Sequence, residues 1–275
     1  MPVFNNMRYI DIHSHLNLPE FKDDKDELIG MLQAQDIAAI VVGVDKATSA
    51  DAVSIAEAHD GIYAAIGQHP TDNSTEEFDL DFYERLTAST KVVAIGECGL
   101  DYFRLKENIE AEKERQKKLF IAQVDLAFAA DLPLMIHARP TKGTMDAYED
   151  VLAILEGLAN EGKIMRGDVH FFVGDIAIAD RFIALGFTMS FTGVITFASD
   201  YDAVIRHLPL ANIMSETDAP FVAPVPHRGK RCEPGYVTLV AARIAEIRGE
   251  DPEIVRESLV ANAERIFGLS SISKG

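Results

Sequence analysis

VVAIGE, residues 92–97, is the stretch whose reading decides the fold: four apolar residues run without a polar break into Gly96 and Glu97. A strand with one wet face alternates apolar and polar residues. A strand covered on both faces reads instead as a near-continuous apolar run, as in a parallel sheet sheathed by helices. Seven other runs read the same way: 8–15 (RYIDIHSH), 37–44 (IAAIVVGV), 62–67 (IYAAIG), 133–138 (PLMIHA), 168–172 (DVHFF), 187–192 (FTMSFT) and 213–217 (IMSET). From Asp11 to Asp218 seven strand-to-strand steps cover 207 residues, about 30 per step, which is the length of one βα unit. The intervening segments carry apolar residues three or four apart. Over 112–131, Phe120, Val124, Ala127 and Phe128 fall on one face and Lys113, Lys117 and Lys118 elsewhere, and Val237, Val240, Ile244 and Ile247 repeat the pattern before a last helix over 252–267.

Strict alternation in a chain of 275 residues predicts a single domain over 1–275 folded as a (β/α)8 TIM barrel. The competing architecture is an open doubly wound sheet, but no GxGxxG follows the first strand. No internal repeat, low-complexity segment or linker interrupts the pattern. With 26 Lys and Arg against 44 Asp and Glu the net charge is −18, which argues against coating of a duplex or an anionic membrane by clustered cations. The start, MPVFNNMRYI, lacks the pattern of an export signal, and no apolar run reaches membrane-spanning length, so the expectation is a cytoplasmic chain with no membrane partner. Cys98 and Cys232 lie 134 positions apart and form no CxxC motif, so any metal must be held by His and carboxylate.

Those residue types gather at the C-terminal ends of the strands, which in a barrel converge on one mouth. The first run ends His13-Ser14-His15, and residues i and i+2 of a strand point the same way. The fourth ends in Glu97, the fifth in His137, the sixth carries His170 and the eighth leads into Asp218. Each has a structural use when taken alone: His137 as a core histidine, Glu97 paired with Arg104, Asp218 as a helix cap. Together, four imidazoles and two carboxylates exceed what one tetrahedral ion needs. They fit two divalent ions (Mg2+, Mn2+ or Zn2+) about 3.5–4 Å apart, able to activate a water and stabilise a leaving oxygen. His13, His15 and Asp218 would hold one ion and His137 and His170 the other. Glu97 would bridge them, and Asp218 would be the general base.

The segments IDIHSH (10–15), GQHP (67–70), VVAIGECGLDYFR (92–104), QxxxFxxQVDLA (116–127), LPLMIHAR (132–139), SETDAP (215–220) and HRGKRCEP (227–234) resemble the TatD-type metal-dependent hydrolases, barrels of the amidohydrolase superfamily often described as deoxyribonucleases. The resemblance spans essentially the whole chain. It implies metal ligands at His13, His15, Glu97, His137, His170 and Asp218, and hydrolysis of phosphodiesters, typically in DNA. The chain departs from the family pattern at HFFVG (170–174), with Phe171 and Val173 where a Cys and a small hydroxyl residue are usual, at Arg139-Pro140, and at Cys232 where Asn is usual.

A phosphodiester substrate needs local cations in so acidic a chain. Arg228, Lys230 and Arg231 after the last strand, Arg139 two residues beyond His137, and His69 at the end of the third strand are the candidate contacts. The structural alternatives are a solvated charged loop for the first three and a packing role for His69. Arg104 and Lys106 read equally well as surface charge, and Tyr102 and Phe103 can either stack an unpaired base or pack under the loop. The expected activity is therefore cleavage of DNA ends or single strands. The competing readings are hydrolysis of a small amide or ester at the same centre, and a retained barrel that only binds. Two divalent ions would add +4 to the mouth and reverse its local field within the acidic molecule.

Overall fold

The computed structural model describes residues 7–71 and 77–269, so the first six residues of the segment read for an export signal lie outside it. Eight parallel strands follow in chain order: β1 Tyr9–Ser14, β2 Ile37–Val42, β3 Ile62–Ile66, β4 Val92–Asp101, β5 Leu134–Arg139, β6 Gly167–Val169, β7 Phe187–Phe191 and β8 Ile213–Ser215. Helices α1 Lys25–Ala34, α2 Lys46–Ala58, α3 Leu80–Leu86, α4 Ile109–Ala130, α5 Asp146–Asn160, α6 Ile176–Ala184, α7 Asp202–His207 and α8 Val237–Arg248 connect or follow them, and α9 Pro252–Phe267 comes after α8. Each strand pairs with the next. The ring closes where Asp218 N–H donates to the His13 carbonyl (2.9 Å) and His15 N–H to the Ala219 carbonyl (2.7 Å). This is the (β/α)8 barrel expected from the apolar runs.

Covering on both faces explains those runs, since all six residues of β2 are buried. Ile37, Ala39 and Val41 pack with the helices, while Ala38, Ile40 and Val42 join Ile10, Ile12 and Met135 in a second cluster with Val260, Ala263, Ile266 and Phe267 of α9. At the end opposite the mouth, Asn262 of α9 donates to the carbonyls of Leu210 and Ile213, both at 2.8 Å, and Arg256 to that of Arg8. Thus α9 caps the N-terminal end of the barrel and leaves the other end for chemistry. Its start is set by Asp251, whose carboxylate accepts from the N–H groups of Glu253 and Ile254 ahead of Pro252.

Two expectations change. Phe128 does not face the sheet: it is 46% exposed, with the Lys163 ammonium 5.8 Å from its ring centre, because the buried stripe of α4 runs through Gln116, Phe120, Gln123 and Val124. Strand β4 does not stop at Glu97 but continues to Asp101, and its register against β5 slips between Ile95 and Cys98. Glu97 thus sits in an irregularity within the strand, where a side chain departs from simple alternation. Gly99, with φ +139°, makes the continued pairing possible, since a Cβ there would lie 2.0 Å from the His137 carbonyl oxygen.

Candidate metal centre

His13 and His15 leave β1 side by side, and their Nε2 atoms converge to 3.2 Å. Glu97 Oε2 stands 3.6 Å from the first and 3.8 Å from the second, and Asp218 Oδ1 stands 3.9 and 3.4 Å from them. His13, His15 and Glu97 thus bring three donors close enough together to hold one cation, with Asp218 Oδ1 beside the two imidazoles. On its other side, Glu97 Oε1 lies 2.8 Å from His137 Nδ1 and 2.9 Å from His170 Nε2, which are 3.4 Å apart. The two oxygens of one carboxylate therefore face two different pairs of imidazoles. All six residues expected to meet at the mouth do so, from β1, β4, β5 and the segments just past β6 and β8. Asp218 reaches the site through the closure of the barrel and adopts φ +56°, a conformation Asp tolerates better than most residues.

The remaining ring nitrogens fix the tautomers. His15 Nδ1 meets the Val42 carbonyl at 3.0 Å and His137 Nε2 meets Asp101 Oδ2 at 3.3 Å. Glu216 Oε2 lies 3.4 Å from His170 Nδ1 and 3.9 Å from His13 Nδ1, beside the stacked pair that those two rings form. For His15 and His137 the proton belongs on the nitrogen facing the acceptor, so the converging nitrogen keeps its lone pair for a cation, as at outer shells of metal sites. His13 Nδ1, His170 Nδ1 and Glu216 Oε2 are buried without a full hydrogen bond, a cost that an ion drawing the two rings into place would offset. The donor set thus fits divalent cations.

The residues beneath follow a rule that the strand-end reading passed over. Asp11, Asp168 and Glu216 each precede a mouth residue by two positions (His13, His170, Asp218), and so point into the barrel one layer down. Asp11 accepts from Thr217 N–H at 2.8 Å and from its hydroxyl, pinning the barrel closure. Asp168 accepts from Thr188 (2.7 Å) and Ser190 (2.6 Å). Burial pushes both carboxyls up, Asp168 to about 8, which reduces the negative charge below the centre. Buried glutamines of α4 hold the rim. Gln116 accepts from Asp101 N–H (2.8 Å) and donates to its carbonyl (3.0 Å), and Gln123 does the same for Gln68 at 2.8 and 2.9 Å.

The expected substrate contacts divide. His69 is 7% exposed, and burial pulls its pKa down to about 3, so it is not a cation at neutral pH. Thr71 N–H donates to its Nδ1 (3.3 Å), which leaves a neutral N–H on Nε2, 3.6 Å from Glu97 Oε1. Arg231 is taken up by both oxygens of Asp24 and by the Glu20 carbonyl, and so ties its loop to the start of α1 instead of being left for a phosphate. Arg228 and Lys230 are exposed and Arg139 is partly exposed. Of the departures from the family pattern, Phe171 takes φ +47° with its N–H donating to Glu216 Oε1 at 2.6 Å. Cys232 is buried, and its N–H donates to the Pro220 carbonyl (3.0 Å) beside Asp218.

Residues 10–268 match the family model described as TatD related DNase. The chain belongs to this family. It is 40% identical over 267 residues to "Uncharacterized metal-dependent hydrolase YabD" of Bacillus subtilis (strain 168), covering 94% of this chain and 99% of that one. It is 30% identical over 270 residues to "3'-5' ssDNA/RNA exonuclease TatD" of Pectobacterium parmentieri, covering 94% and 99%. The crystal structure of YjjV, a TatD homologue from Escherichia coli K12, superposes with a TM-score of 0.84 at 29% identity over 95% of this chain and 98% of the other. The protein is a metal-dependent hydrolase of the TatD family, and among its described residues no helix is long and apolar enough to cross a membrane.

Without a cation, Glu97 is held well below the usual carboxylate range despite its burial, because His170, His69, His13 and His137 surround it. Burial alone would lower His15, His137 and His170, but the carboxylates around them raise all three. A cation must displace those protons, so affinity falls as pH falls. The stability these three histidines contribute to the stripped chain is complete below about pH 6.5 and is lost as pH rises through their raised values. Both effects widen the difference in melting temperature between Mn2+-loaded and stripped protein from pH 6 to pH 8. A difference that is constant or narrows over that range would contradict this assignment of protons.

Proposed function

We propose that this protein is a phosphodiesterase that removes nucleotides from the ends of single-stranded DNA. The observation that carries the reading is Glu97, whose two oxygens serve two imidazole pairs at 2.8–3.8 Å. His13, His15 and Asp218 would hold one divalent ion, His137 and His170 the other, with Glu97 shared. Ions held there would lower the pKa of a water, polarise the phosphoryl group and neutralise charge on the leaving oxygen. Asp218, at the open edge of the set with Oδ1 3.4 Å from His15 Nε2, accepts the proton of the attacking water. The neutral N–H of His69 donates to a phosphate oxygen, and Arg139, Arg228 and Lys230 offset the charge of the strand. The name of the Pectobacterium relative supports the substrate class, and the exposed cations at the mouth support an anionic substrate.

Incubation with Mn2+ or Mg2+ and single-stranded DNA labelled at one end tests the reading. Progressive shortening that stops on chelation is expected. Intact DNA together with turnover of a small neutral ester or amide would overturn it in favour of the small-molecule hydrolase.

A further inference from the structure

Among the exposed aromatic rings at the mouth, two have an arginine laid over them. Phe103 follows β4 and is 47% exposed, and Arg139 Cζ, at the end of β5, lies 4.1 Å from its ring centre. Phe197 follows β7 and is 37% exposed, and Arg228 Cζ, from the loop after β8, also lies 4.1 Å from its ring centre. In a chain with 44 acidic residues, Arg115, Arg166, Arg181 and Arg231 all lie against carboxylates. The guanidinium groups of Arg139 and Arg228 instead make no hydrogen bond or ion pair among the described residues.

Both pairs are built into the rim. Asp101 accepts from Phe103 N–H at 3.0 Å while facing His137 Nε2 with its other oxygen, and Asp101 is the register partner of Arg139. Thr196, beside Phe197, accepts from Val225 N–H at 2.9 Å and so joins the loops that carry the second pair. A guanidinium over a ring offers its plane to a nucleobase and its N–H edge to a phosphate, the two halves of a nucleotide. Bases within a duplex are already stacked and cannot use such a surface.

We propose that Arg139–Phe103 and Arg228–Phe197 are two nucleotide subsites on the rim, each taking an unpaired base on its π surface and a phosphate on its guanidinium. The proposal rests on the phosphodiesterase reading and explains how an acidic barrel selects single strands: recognition comes from two local pairs instead of a basic surface.

Binding measured by fluorescence anisotropy in Mn2+ on an Asp218→Asn background, in which cleavage is slowed, tests it with two probes of equal length and charge, a ten-residue oligothymidylate and its abasic analogue. The intact oligonucleotide is expected to bind roughly 5- to 100-fold more tightly, from base stacking on the rim. Phe103→Leu and Phe197→Leu should each draw the two affinities together, and Arg139→Lys should do so as well, since it keeps the charge and loses the plane. Thermal melting of each variant checks that it is folded. Equal affinity of the two probes overturns the subsites, and metal-dependent cleavage by the wild-type chain in the same preparation would show that the nuclease reading survives. Absence of both cleavage and binding overturns both.

Discussion

Replacement of Asp218 by Asn is expected to lower turnover by about 10^2- to 10^4-fold, the range spanned by loss of a positioned proton acceptor. Asparagine has nearly the same volume, and the closing hydrogen bond from residue 218 N–H to the His13 carbonyl is made by the backbone, so the barrel should fold as before. The variant loses the carboxylate oxygen that stands 3.4 Å from His15 Nε2 and 3.9 Å from His13 Nε2. It therefore loses the negative charge beside two imidazoles and, in the proposed mechanism, the group that takes the proton of water. Measurement of kcat on single-stranded DNA, with melting temperature as the control for folding, checks this. A folded variant retaining turnover within threefold of wild type would remove Asp218 from the mechanism.

Glu97→Gln is expected to act more widely, because its two oxygens face the converging nitrogens of both imidazole pairs. Oε1 serves His137 and His170, and Oε2 serves His13 and His15. The amide keeps the shape but offers one weaker acceptor and, toward one imidazole pair, an N–H in place of a lone pair. Replacement of a partner outside the immediate ligand set commonly costs 10- to 100-fold in metal affinity, so loss of Glu97 as the proposed shared ligand should exceed about 100-fold at one position at least. Turnover should fall with it. Titration of stripped protein with Mn2+ reads the change directly: wild-type affinity at both positions in the variant would show that Glu97 is not shared.

Much of this is legible in the amino-acid sequence itself. Runs such as IAAIVV are apolar throughout because inner and outer faces of a closed parallel sheet are both dry, so eight strands and their ends could be read without neighbours. The six mouth residues were legible because strand ends in a barrel must converge. Three features were not. Glu97 lies in an irregularity of a strand that continues to Asp101, and a register slip depends on β5 rather than on local sequence. His69 reads as a cation in a list of residues, yet burial leaves it neutral. Arg231 sits among four potentially cationic side chains in HRGKR, but which of them meets a carboxylate depends on Asp24, 207 positions away. The lower layer of Asp11, Asp168 and Glu216 was available as an i, i+2 rule once the mouth residues were chosen, since alternation that aims His13, His170 and Asp218 inward aims those acids inward as well.

The central claim is that one barrel mouth holds two ions about a single carboxylate. The measurement that meets it most directly is the number of Mn2+ ions bound per chain by stripped protein at pH 8, followed by calorimetric titration. Two ions per chain in the wild type, with fewer in Glu97→Gln, is the predicted result. Saturation at one ion or none in folded wild-type protein would contradict it.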